Sequence, residues 1–324
     1  MKMKLLALTL VLLTVVVVTD DALADAIGQR RNIRLIMASG GMAGTYYPFG
    51  GALAQTINSK TDYIRTNVNA SGGSAENIQL IGAGLAHYAI VQNDTMDYAY
   101  NATNTWIGPA VKKIATLMTL YPEVCQIIVA ADSGINNVAD MAGRYVSTGD
   151  IGSGGEANAI QILEAYGMTV KDIRQQSLGF SASAEAMRSG AIEAFFVTSG
   201  TPNTAVLDLQ ASYNVRILNI EQEKIDAMIA KYPFFAKYTI TVGEYAFLNT
   251  DVNTVAVQAT LAASPELDER IVYDIVKTII ENRDELAKAH NKGAFIAADY
   301  AVQGVSVPFH PGAAKYFKEI GVLK

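Results

Sequence analysis

Four times along this chain a strand-like run empties into a turn of glycine and small hydroxyl residues, and the turn opens a helix. The turns are Ser39-Gly40-Gly41-Met42-Ala43-Gly44-Thr45, Ser71-Gly72-Gly73-Ser74, Asp150-Ile151-Gly152-Ser153-Gly154-Gly155-Glu156 and Thr198-Ser199-Gly200-Thr201-Pro202. A recurring strand, turn and helix is the rhythm of an α/β fold with parallel strands. Each helix start leaves backbone N–H groups unpaired at its positive end, and glycine lets a ligand approach them. The repetition therefore predicts anion-binding turns gathered on one rim of a sheet.

Periodicity fills in the rest. Strands are expected over 33–38, 63–70, 86–92, 115–120, 124–131, 145–148, 176–179, 191–197, 215–218, 238–242 and 252–263. Helices are expected over 48–59, 75–83, 95–100, 157–166, 182–189, 205–210, 222–231, 267–283, 284–290 and 311–320. Pro48 and Pro202 suit first helical positions, with Thr201 as the cap before the latter. Ser153 and Glu156 fit a capping box, which competes with a ligand role for Glu156.

A chain of 324 residues with 50% hydrophobic content can bury two cores, so two domains are expected. The boundaries fall where the rhythm restarts: 25–121 with 243–324 as the first domain, and 122–242 as the second, with hinges near 121–124 and 242–251. Ligands of α/β sheets sit at such rims, which places the site in an interdomain cleft. The net charge of −6 removes the basic face a general nucleic-acid binder needs.

Lys2 and Lys4 precede an uncharged run over 5–18, and Ala22-Leu23-Ala24 supplies small residues at a cleavage spacing. Roughly fourteen apolar residues are short for a bilayer span, so 1–24 reads as a cleaved signal peptide and the chain as extracytoplasmic, periplasmic in a two-membrane cell. Cys125, the single cysteine, lies in an apolar run and reads as a buried strand position rather than a reactive thiol.

Catalytic patterns are missing. His87, His290 and His310 lack metal-ligand spacing, and no nucleophile elbow, P-loop or dinucleotide fingerprint follows a strand. The pairs Asp94/Asp97 and Glu185/Glu193 read as solvated charges. No enzyme activity, cofactor or metal is expected. Among the rim aromatics, Tyr46 is placed against the ligand and Tyr47, Tyr98 and Tyr100 in packing.

The segments Gly44-Thr45-Tyr46-Tyr47-Pro48, Ala70-Ser71-Gly72-Gly73-Ser74-Ala75-Glu76-Asn77, Val91-Gln92-Asn93-Asp94, Leu120-Tyr121-Pro122-Glu123, Gly152-Ser153-Gly154-Gly155-Glu156-Ala157-Asn158, Val197-Thr198-Ser199-Gly200-Thr201-Pro202 and His310-Pro311-Gly312-Ala313 together resemble the TAXI family. These are extracytoplasmic solute receptors of TRAP (tripartite ATP-independent periplasmic) transporters, and the resemblance runs in order along the chain after residue 24. It implies two Rossmann-like α/β domains of the periplasmic-binding-protein type, joined by crossover strands. It also implies a small carboxylate ligand such as glutamate, glutamine or 2-oxoglutarate, and a monomer that delivers it to a fused TRAP membrane permease. A sensing subunit for a two-component system would have the same fold and pocket. Carried over by position, the ligand-facing residues are Gly44, Thr45, Tyr46, Ser71, Gln92, Asn93, Ser153, Gly154, Glu156, Ala157, Thr198 and Ser199. Gly155 departs from a threonine common among relatives. Glu156 or Asp94 would receive a ligand ammonium; if neither faces the cleft, an oxo or hydroxy acid is favoured over an amino acid.

Overall fold

Apolar residues at strand spacing build one 10-stranded mixed sheet. The computed structural model describes residues 32–324, so the expected leader over 1–24 lies outside the described residues. The strands are β1 (Ile33–Ala38), β2 (Ile64–Asn69), β3 (Tyr88–Gln92), β4 (Ala115–Ala130), β5 (Tyr145–Ser147), β6 (Arg174–Gln176), β7 (Ala194–Ser199), β8 (Val215–Ile217), β9 (Ala236–Ile240) and β10 (Val252–Ala263). The helices are α1 (Tyr46–Lys60), α2 (Ser74–Gly82), α3 (Asn93–Asn101), α4 (Gly154–Ala165), α5 (Phe180–Arg188), α6 (Thr204–Gln210), α7 (Gln222–Lys231), α8 (Glu269–Glu281), α9 (Arg283–Ala289) and α10 (Pro311–Glu319).

The sheet runs β2-β1-β3-β10-β4-β7-β5-β6, with β8 on β4 and β9 on β10. Strands β1, β2 and β3 are parallel, as are β5, β6 and β7, while β4 and β10 run antiparallel to their neighbours between the two sets. These two long strands serve both halves. On β4, Leu117 to Tyr121 pack with β1, α1 and α8, whereas Val124 to Val129 pack with β7 and the second half. On β10, Val252 to Val257 belong to the second half and Ala259 onward to the first. Tyr245 and Leu248 also pack in the second half, so the chain returns within β10 itself.

Three local expectations need correction. The two strands predicted over 115–120 and 124–131 are one 16-residue strand. Pro122 is tolerated there because it pairs with Gln258 close to an irregularity in the β4–β10 register at Ala259/Thr260, and strand prolines sit at edges and bulges. Helix α1 begins two residues before Pro48, still inside the first turn where an N–H has no helical partner. Thr201 does not cap α6; Asn203 does, its Oδ1 accepting from Val206 N–H at 3.3 Å.

The histidines hold structure. His87 Nδ1 accepts from Ile36 N–H at 3.0 Å, and His290 and His310 cap Lys292 N–H and Gly312 N–H at 3.1 and 3.2 Å. Cys125 is buried, and desolvation pushes its thiol up to about 12. Among the described residues no helix is long and apolar enough to cross a membrane.

Candidate ligand-binding cleft

Where β4 and β10 change sides, the turns after β1, β2, β5 and β6, with the last two residues of β7, surround a cavity of about 500 Å³, and the turn expected after β7 (200–202) is not in its wall. The first residues of four helices reach its wall: Tyr46 of α1, Ser74 of α2, Gly154 of α4 and Phe180 of α5. Four helix starts and their positive ends therefore border one space, with Ala75 N–H and Glu156 N–H already taken by Gly152 O and Ser153 Oγ. Among the described residues no lysine, arginine or histidine lines it; its ionisable groups there are Tyr46, Glu123 and Asp150. Backbone must then supply the positive potential for an anion.

Eight of the residues expected to face a ligand line this cavity: Gly44, Thr45, Tyr46, Gln92, Ser153, Gly154, Thr198 and Ser199. The other four are used elsewhere. Ser71 Oγ lies 2.6 Å from Asn77 Oδ1 and 3.1 Å from Ser39 O, and it accepts from Gly73 N–H, which fixes the turn before α2. Asn93 turns to the crossover, its Oδ1 accepting from Gln258 N–H at 3.0 Å and its amide donating to Gly304 O. Glu156 accepts from Gly152 N–H at 2.8 Å while Ser153 Oγ accepts from Glu156 N–H at 3.0 Å, so the pair closes the turn much as a capping box does. Ala157, one turn into α4, is buried within the fold.

The two halves touch around the cavity. Thr45 Oγ1 donates to Gly200 O at 3.4 Å, Asn203 Nδ2 to Ala43 O at 3.3 Å, and Ala75 N–H to Gly152 O at 3.2 Å. Gly154 comes so close to Gln92 that a Cβ would stand 1.9 Å from Gln92 Oε1. Beside them, Asn158 Nδ2 donates to the buried Asp94 Oδ2 at 2.8 Å, and Lys292 Nζ to Thr201 O at 2.6 Å. Asp94 is thus engaged by α4 and does not line the cavity. Gly155, by contrast, has room: a Cβ there makes only ordinary contacts with Ser153 and Thr198.

Sequence reasoning missed Glu123. It is 2% exposed, lines the cavity, and accepts a hydrogen bond from Tyr46 Oη at 2.5 Å. Burial raises its carboxyl from the ordinary 4.5 to about 8, although the Tyr46 hydrogen bond pulls the other way. Burial and then Glu123 hold the Tyr46 phenol well above its usual range. A carboxylate inside an otherwise apolar strand run was the available signal. Phe180 and Gly179 were also missed, whereas Gly40, Gly41, Gly73 and Ser74 belong to turns expected at the rim but not named as ligand-facing.

The NMT1-like family is matched over residues 37–321. The chain belongs to that family. Solved structures share its fold at low identity. One is a binding protein component of an ABC phosphonate transporter from Pseudomonas aeruginosa, 11% identical with 82% of this chain and 81% of that chain covered, at a TM-score of 0.53. Another is the periplasmic aliphatic sulphonate binding protein from Escherichia coli, 15% identical with 88% and 82% covered, at 0.51. A third is an ABC uptake transporter substrate binding protein from Streptococcus pneumoniae with bound histidine, 14% identical with 82% and 94% covered, at 0.50. The fold is the α/β periplasmic-binding-protein fold, as expected, and at these identities the likeness speaks for the fold alone.

Proposed function

We propose that this protein is an extracytoplasmic solute receptor, a binding protein and not an enzyme, that holds a small carboxylate between two hinged lobes. The observation that carries the reading is the cavity itself, walled from both halves of the sheet by helix starts and, among the described residues, free of cationic side chains. The lobes correspond to the two halves, with β4 and β10 as the hinge near Pro122 and Gln258. Contacts from both sides are complete only when the lobes close. The ligand-facing set is the eight lining residues expected from sequence together with Glu123.

The resemblance to TAXI receptors supports glutamate, glutamine or a related acid as ligand, delivery to a TRAP-type permease, and a periplasmic location. A second reading, delivery to an ABC permease, is favoured by the names of the solved neighbours, which are binding proteins of ABC transporters. A thermal-shift screen of protein unfolded and refolded to strip bound ligand tests the receptor reading. At a hundred times its dissociation constant a ligand adds about 2.7 kcal/mol, a rise of several degrees. Selective stabilisation by small carboxylates is expected; no shift with any of them refutes the reading. Co-purification with one permease type decides between the transport systems.

A further inference from the structure

Glu123 stands where β4 passes from one half of the sheet to the other, and it is the one carboxyl in the cavity wall that is almost wholly buried. A buried carboxylate is normally paired or saturated with hydrogen bonds. This one has a single hydrogen bond, from Tyr46 Oη to Oε2, and Oε1 receives none among the described residues. Lys292, whose charge favours the Glu123 carboxylate, gives its ammonium to Thr201 O and forms no ion pair within the described residues. One carboxyl oxygen is left for whatever fills the cavity.

We propose that Glu123 is the acceptor for a ligand ammonium, so that the cleft selects a primary-amine carboxylate, an amino acid, over oxo, hydroxy and dicarboxylic acids. The inference rests on the receptor reading above and assigns the ligand's two ends. The ligand carboxylate goes to N–H groups at the helix starts, since no cationic side chain among the described residues lines the cavity. The ammonium goes to Glu123, where it offers a charge-assisted hydrogen bond to a group short of partners. An oxo acid in the same place can only accept from the protonated carboxyl, a hydroxy acid offers only a neutral donor and a dicarboxylic acid a second anion, so none of them forms the charge-assisted pair. Neither Glu156 nor Asp94 competes for the ammonium, both being engaged outside the cavity.

A proton accompanies the ligand. Burial holds the Glu123 proton at neutral pH in the empty site, with Asp94 reinforcing it and Tyr46 and Lys292 opposing. Of the other groups around it, Tyr46, Tyr121 and Cys125 are pushed up and stay protonated, Asp150 at the cavity wall is raised, and Lys292 is lowered by burial but raised by Glu244 and Glu123. An incoming ammonium favours the carboxylate, so the carboxyl proton leaves to solvent as the ion pair forms.

The experiment is titration calorimetry of the full chain at pH 7 with L-glutamate, L-glutamine, 2-oxoglutarate and glutarate, each in phosphate and in Tris. We expect the amino acids to bind at least about 30-fold more tightly than the other two acids, with release of close to one proton read from the buffer dependence. E123Q should weaken the amino acids by a similar factor and abolish proton release while still folding by thermal melt. If that variant misfolds, Y46F, which keeps the carboxyl but removes its hydrogen bond, should still release a proton on binding. Oxo or dicarboxylic acids binding wild type as tightly as amino acids would overturn the assignment and leave the receptor standing. So would wild-type affinity in E123Q, or no proton release by wild type. Failure of all four acids to bind wild type would refute the carboxylate-receptor reading itself.

Discussion

Replacing Gly154 by alanine sets cleft closure against folding. The added Cβ would stand 1.9 Å from Gln92 Oε1, 2.4 Å from Gln92 Cδ and 3.0 Å from Thr95 Oγ1. Gln92 is buried, and Ser74 Oγ holds its backbone N–H at 3.0 Å. The halves can stay together only if the Gln92 side chain is displaced. Crowding of this kind costs about 1–3 kcal/mol, and an unsatisfied buried amide adds to it. Taking about 2 kcal/mol, and about 1.4 kcal/mol per tenfold, ligand affinity should fall roughly 10- to 100-fold. If the lobes hinge at β4 and β10 as proposed, the unliganded protein escapes the clash by opening, and alanine is the better helix former by up to about 1 kcal/mol. Its melting point should therefore stay within about 2 °C of wild type. Calorimetry and a thermal melt on the same preparation make the test. Wild-type affinity would refute the reasoning. So would a drop of more than about 5 °C without ligand, because the contact would then be permanent and the hinge absent.

Three further outcomes follow from buried groups. Burial raises the Asp94 carboxyl from the ordinary 3.8 to about 6, so its contribution to stability is full below about 3.8 and lost as pH rises through 6. The stability of wild type relative to D94N should accordingly fall by about 2 kcal/mol between pH 4 and 7 in denaturant melts, and a rise would contradict the assignment. Tyr121 Oη is buried with no hydrogen-bond partner among the described residues, so Y121F should raise stability by about 1 kcal/mol, whereas a loss would reveal a partner for the hydroxyl. Cys125, buried and with its thiol pushed up to about 12, should stay unlabelled by a thiol reagent in the native protein and react at the rate of unfolding; fast labelling would refute its burial.

Much of the fold was legible because local pattern and tertiary structure agree. Strand β1 over Ile33–Ala38, helix α7 over Gln222–Lys231 and strand β10 over Val252–Ala263 stand where periodicity puts them. Strand β4 was misread because Pro122 and Glu123 break its apolar run, and what permits them, an irregular register with β10 and a cavity at one side, is tertiary. The helix-start turns were readable as a cleft for the same local reason. Direction was not: Ser71, Asn93 and Glu156 are polar and close to the cleft in sequence, yet each spends its side chain on a neighbouring backbone or crossover strand. The chemistry of Glu123 depends on its burial and on a hydrogen bond from Tyr46, 77 residues away in sequence. The same holds for Asp94, whose partner Asn158 comes from a helix 64 residues on.

The most direct measurement is a crystal structure of the protein with the amino acid that stabilises it most. The account predicts ligand density in the cavity between Tyr46 and Gly154, its carboxylate against backbone N–H groups of the helix-start turns and its ammonium within hydrogen-bonding distance of Glu123. A ligand bound outside the cavity, or one that turns its carboxylate toward Glu123, would contradict it.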